Sequence, residues 1–192
     1  NHLPAAGQTT TPLQSTMAVD LFYHHNDYSP NFDKNRSARI DSLFFNTDGT
    51  IKKVKPTLRG VGITDAEAKY RLTAIYHKPY GVTIDYLEPS NTFEGWQTLF
   101  NRAGTWVTYN KVDFGTTPVK RLKARVRSEK GGAITLRTPG EKGMTIAELP
   151  IKPTGKWTEI STNVSNAPTS MQDLIITQTG ENPVAVDWIS FE

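Results

Sequence analysis

Six aromatic side chains crowd one stretch of this chain: Phe93, Trp96, Phe100, Trp106, Tyr109 and Phe114. That is more ring surface than one pair of strands needs to fill a core. In an extended strand Trp106, Thr108 and Asn110 point to one face, and Val107, Tyr109 and Lys111 to the other. At least one large ring is therefore expected outside the core. A flat exposed ring flanked by amides and hydroxyls suits the C–H face of a sugar, whose hydroxyls then hydrogen-bond around the rim.

Proton-transfer chemistry is harder to assemble. Glycoside hydrolysis needs two carboxyl groups across the scissile bond, ~5–5.5 Å apart for retention or ~6.5–9.5 Å for inversion. Asp20, Asp41, Asp85, Glu88, Glu94 and Asp187 are scattered, and no spacing pairs two of them. Asp48 and Asp113 occupy turn or strand-end positions that already explain them. No serine stands in a G-x-S-x-G setting. His24 and His25 are adjacent, so in a strand they point to opposite faces and cannot chelate one ion together. One inside and one outside is the expectation, and His2 and His77 add no zinc-like spacing. The absence of cysteine excludes disulfides and thiolate metal ligands.

The elements that must position these residues are short strands. Positions 119–127 alternate, with Arg121, Lys123, Arg125 and Arg127 on one face and Leu122, Ala124 and Val126 on the other. The cationic face is either a solvated sheet face paired with neighbouring carboxylates or an attractor of uronic acids on an acidic polysaccharide. Strands are expected at 134–137, 144–149, 157–163, 173–177 and 184–191, separated by Gly/Pro turns, and no helix is amphipathic. This is the pattern of a β-sandwich. Net charge is +3 with mixed signs, and no basic helix accompanies the stripe, so no nucleic-acid partner is expected. No apolar run approaches the ~20 residues a spanning helix needs, and no membrane partner is expected.

The first third differs. Positions 1–15 and 26–35 are loops by composition. A strand at 17–24 with Leu21, Phe22 and Tyr23 buried is followed by one at 37–45, a tight turn at Asn46-Thr47-Asp48-Gly49 and a short return strand at 50–54. Such a meander cannot bury enough surface to fold alone. With no initiator Met and no leader-like start, the chain is expected to be a piece of something longer.

Two resemblances give this pattern a direction. The run GTWVTYNKVDFG (104–115) is similar to the G-D-W-V-x-Y-x-x-V-D-F-G signature of family 6 carbohydrate-binding modules, which are β-sandwiches that bind polysaccharides. Ala124-Arg125-Val126, Gly131-Gly132, Gly155-Lys156-Trp157 and the closing Val186-Asp187-Trp188-Ile189-Ser190-Phe191 follow in the order that family has. The earlier segment, LFYHHND and RSARIDSLFFNTDGTIKKVKPT, resembles the last blade of the five-bladed propeller of family 43 glycoside hydrolases, which remove arabinose or xylose from plant polysaccharides. That family's catalytic carboxylates come from earlier blades, so none maps onto this chain.

The resemblances imply specific residues. The sugar clamp of the family 6 cleft falls on Phe100 and Trp157. Its amide partner falls on Ala185, which has no hydrogen-bonding side chain, with Asn182 as a substitute from the preceding loop. Trp96 would serve a second surface on the sheet face. His2 matches the propeller-axis histidine that contacts a cation, so calcium belongs to the propeller portion. In the sandwich the family's calcium-binding Glu is replaced by Ile75 while Asp187 is retained, so calcium is not expected there. The signature's acid is replaced by Thr105.

The expectation is thus all-β: part of a propeller blade over 1–58 and a jelly-roll sandwich over 63–192. It would bind a plant cell-wall polysaccharide, xylan or arabinoxylan, beside the remainder of a glycosidase propeller, periplasmic or extracellular in the parent protein. The alternative is a sandwich that only braces the propeller and binds no sugar.

Overall fold

The computed structural model describes residues 19–25, 37–54, 56, 60, 61, 68, 72, 76 and 78–192. Two strands come first, β1 (Val19–His25) and β2 (Ser37–Leu43), paired antiparallel. Alternation splits the expected buried trio. Leu21 and Tyr23 are half-buried on one face with Asp41 and Arg39 opposite them, whereas Phe22 on the other face is 76% exposed. The Asn46–Gly49 turn forms as expected, with Gly49 at φ 83° and Asp48 accepting from the Thr50 amide. The return strand shrinks to one bridge, Phe45 to Ile51.

The rest is two five-stranded antiparallel sheets. Sheet I has the order β10 (Thr158–Asn163), β7 (Arg121–Arg127), β12 (Val184–Phe191), β5 (Trp96–Phe100), β4 (Val82–Tyr86). Sheet II has the order β3 (Lys78–Tyr80), β6 (Trp106–Asp113), β11 (Met171–Gln178), β8 (Gly132–Arg137), β9 (Thr145–Ile151). β3, β4 and β5 were not among the expected strands.

The core lies between the sheets. Leu122, Ala124 and Val126 of β7 and Phe191 of β12 face Val107, Tyr109 and Val112 of β6 and Leu174 and Ile176 of β11, in one buried cluster. Alternating side chains of half-buried strands produce this layering. Phe114 meets Phe191 edge-on at 5.1 Å. One amide sits in this apolar layer: Gln178 is fully buried, and its Nε2 donates to the carbonyls of Gly180 (3.0 Å) and Asn182. Thr105, where the signature carries an acid, is also fully buried and donates its hydroxyl to the Arg102 carbonyl at 2.8 Å.

Two bulges set which side chains face out. In β6, Asn110 and Lys111 together oppose the single residue Asp173, between the pairs Tyr109–Leu174 and Val112–Gln172. Lys111 takes φ 52°, and Asp173 accepts its amide at 2.8 Å. The extra residue resets the alternation. Lys111, expected on the face of Val107 and Tyr109, is therefore exposed, and Val112 and Phe114 return to the core. In β12 the register shifts between Val186 and Trp188, so Asp187 is the unpaired residue.

Candidate functional site

Trp106 opens β6 on the outer face of sheet II, before the bulge can redirect it. It is half-buried, and Tyr80 of β3, 55% exposed, stacks beside it with ring centroids 5.8 Å apart and planes 21° from parallel. The register then draws a row across all five strands. Tyr80 lies opposite Trp106, Trp106 opposite Thr177, Thr177 opposite Thr135, and Thr135 opposite Glu148. Four strand spacings make this row roughly 19 Å long. Its far end is an open recess of about 370 Å³ lined by Ala133, Thr135, Glu148, Pro150 and Thr179 among others, with the Thr135 and Thr179 hydroxyls 3.4 Å apart. Two rings at one end, hydroxyls in the middle and an exposed carboxylate at the other can stack an apolar ring face and hydrogen-bond its polar rim.

The residues singled out from the sequence fall elsewhere. Phe100 is 1% exposed and belongs to the core, on the inner face of sheet I with Thr98 and Val186. The gap beside it holds about 10 Å³, at the lower limit for one water. Trp157 is half-buried on the outer side, where the guanidinium carbons of Arg127 and Arg125 lie 5.0 and 5.3 Å from its ring centroid. Phe100 and Trp157 thus occupy opposite faces of one sheet and form no clamp. Trp96 stacks on its cross-strand partner Tyr86 at 4.3 Å. Asn182 is half-buried, and its backbone carbonyl serves Gln178. Ala185 is buried beside Arg127 in the register. Trp106, the ring that does reach a surface row, was not among the predicted site residues. Alternation within 106–110 was the signal that marked it.

The metal candidates separate too. His2 and Ile75 lie outside the described residues. His24 is exposed, and the side chain of its neighbour His25 is likewise outside them. Asp187 is 9% exposed and gives its carboxylate to Arg125 at 2.6 Å. A cation there would displace a guanidinium, and among the described residues no three acids or histidines converge. This donor set does not fit calcium. The cationic stripe is half paired: Lys123 meets Glu192 at 2.5 Å and Arg125 meets Asp187, but among the described residues Arg121 and Arg127 have no carboxylate at ion-pair distance. Glu88 is held below the usual carboxylate range, first by the Ser90 hydroxyl, then by the Ser90 amide, with the Arg127 charge contributing least.

A two-sheet sandwich of this strand order, carrying aromatic rings on an outer sheet face, defines a class: the family model for carbohydrate-binding module family 6 matches residues 75–192, and the chain belongs to that family. In the solved structures it is similar to a family 6 module from Clostridium cellulolyticum in complex with xylose, with 27% identity and TM-score 0.58 over 66% of this chain and 98% of that one. The likeness continues upstream of the module. A glycoside hydrolase family 43 arabinoxylan arabinofuranohydrolase from Bacillus subtilis, in complex with cellotetraose, aligns over 81% of this chain and 34% of that one at 26% identity and TM-score 0.63. An arabinoxylan arabinofuranohydrolase of Paenibacillus polymyxa is 29% identical over 154 residues, covering 76% of this chain and 24% of the relative. The chain therefore spans about a quarter of the curated relative's length.

Proposed function

We propose that this chain is the polysaccharide-binding portion of an arabinoxylan-degrading glycosidase, and that it holds its ligand on the outer face of sheet II. The observation that carries the reading is the aligned row Tyr80, Trp106, Thr177, Thr135, Glu148. Trp106 supplies the stacking ring and Tyr80 steadies it. The threonine hydroxyls and Glu148 bond to sugar hydroxyls along the row. Arabinoxylan is favoured as ligand because the curated relative and the upstream structural likeness both carry that name. In this reading residues 1–58 belong to the glycosidase propeller and residues 63–192 to the module. The catalytic carboxylates lie in other blades, and the parent protein works in the periplasm or outside the cell.

A second reading has support of its own: Phe100 is buried and arginines lie over Trp157, so these two rings do not clamp a sugar, which favours a module that only braces its neighbour. Electrophoresis through gels containing arabinoxylan separates the two. The binding reading expects the chain to be retarded and Trp106→Ala to migrate as in a plain gel. Equal migration of the parent chain with and without arabinoxylan favours the brace.

A further inference from the structure

The arginine-covered ring of Trp157 offers a different chemistry on the opposite sheet. Arg125 and Arg127 both sit within cation–π range of the indole, their guanidinium carbons 5.3 and 5.0 Å from its centroid, which restrains both side chains. Arg125 is already satisfied by Asp187 at 2.6 Å. Arg127 is half-buried, and among the described residues no carboxylate lies at ion-pair distance from it. Glu88 feels its charge, but that carboxylate is held by the Ser90 hydroxyl at 2.8 Å and the Ser90 amide at 3.1 Å. Across the register from Arg127 stands Ala185, which has no polar side chain to occupy the fork. A guanidinium carries five N–H donors in a planar fork suited to a carboxylate. Pre-ordering it on an indole lowers the entropy lost on pairing.

We infer that Arg127, braced by Trp157, is a subsite for the carboxylate of a hexuronic acid residue on an acidic polysaccharide. The guanidinium takes the carboxylate through two parallel N–H bonds. The indole is the floor that holds the arginine and not a platform for a neutral sugar. This site lies on sheet I, away from the Trp106 row, and does not depend on it.

The test is calorimetric titration of the full 192-residue chain with glucuronoxylan oligosaccharides, with oligogalacturonides, and with both after reduction of their carboxyl groups to alcohols. At low salt the acidic forms should bind on the order of tenfold tighter than their reduced counterparts, and the better of the two acidic ligands identifies the source of the uronate. Arg127→Gln should abolish the difference while leaving arabinoxylan binding unchanged. Arg127→Lys keeps the charge without the fork and should fall between. Equal affinity of the parent chain for acidic and reduced ligands would overturn the inference, as would a preference that survives Arg127→Gln. An Arg127→Lys variant equal to the parent would overturn the bidentate contact. Trp106→Ala should weaken arabinoxylan and spare the acid preference, so failure at one site is distinguishable from failure at the other.

Discussion

Replacing Phe100 separates a core ring from a ligand-binding ring. The side chain is 1% exposed and packs among Leu72, Val107, Tyr109, Ile176 and Ile189. Truncation to alanine removes a buried phenyl and leaves a cavity that strands and register cannot close, a change that costs about 3–5 kcal/mol. A domain of this kind has about 5–15 kcal/mol in total, so the urea midpoint should fall by roughly 2 M. At 20 °C without denaturant a variant retaining about 3 kcal/mol is still about 99% folded. Arabinoxylan affinity measured there should stay within about twofold of the parent, well below the tenfold that 1.4 kcal/mol represents. The assay is a urea melt followed by intrinsic fluorescence, paired with calorimetric titration of the same preparation. Refutation would be the reverse pattern: an unchanged midpoint with affinity lost tenfold or more is the signature of a surface ring touching sugar.

Other outcomes follow from the same geometry. A sugar ring laid on Trp106 removes about 100 Å² of apolar surface from water, so Trp106→Ala should cost about 2 kcal/mol of binding, some thirtyfold in Kd, with only about 1 kcal/mol lost in stability from the broken Tyr80 stack. Asp187→Asn leaves Arg125 without its anion in a partly buried setting and should lower stability by about 1–2 kcal/mol in a denaturant melt, while the parent value would contradict the ion pair's role. The Asp48 carboxyl is held below its ordinary 3.8, first by the Thr50 hydroxyl at 2.7 Å and then by the Thr50 amide. Since the folded value is depressed, the turn is stabilised above the unfolded value and that contribution is lost as pH falls through the folded one. Thr50→Ala should therefore raise the Asp48 value towards 3.8 in an NMR titration, and no movement would contradict the bond.

Part of the sandwich was legible from burial that alternates in strands such as β7, and part from an apolar run such as β12, which is buried along nearly its whole length. The run 121–127 buries Leu122, Ala124 and Val126 as its spacing demands, and the closing strand keeps its expected bounds, Val184–Phe191. Short, polar elements escaped: β3 is three exposed residues held by β6, and nothing in KPY marks a strand. The bulge at Lys111 was invisible for a related reason, since it is created by the pairing with β11 and by the Asp173 cap, both about sixty residues away in sequence. The site was the least legible part. A family's aromatic position carries over as a place in the chain, whereas the face on which Phe100 lands depends on its partners Val82 and Val184 and on the rings packed behind them. Trp106 lay in the same stretch, and its exposure followed from alternation alone, but a row of five residues from five strands exists only once the sheet's register is known.

The most direct measurement is a residue-by-residue NMR map of the chain titrated with an arabinoxylan oligosaccharide. Amide and side-chain shifts should move along Tyr80, Trp106, Thr177, Thr135 and Glu148 and leave Phe100 and the inner face of sheet I in place. Perturbations confined to sheet I, with the Trp106 row silent at saturation, would contradict the account.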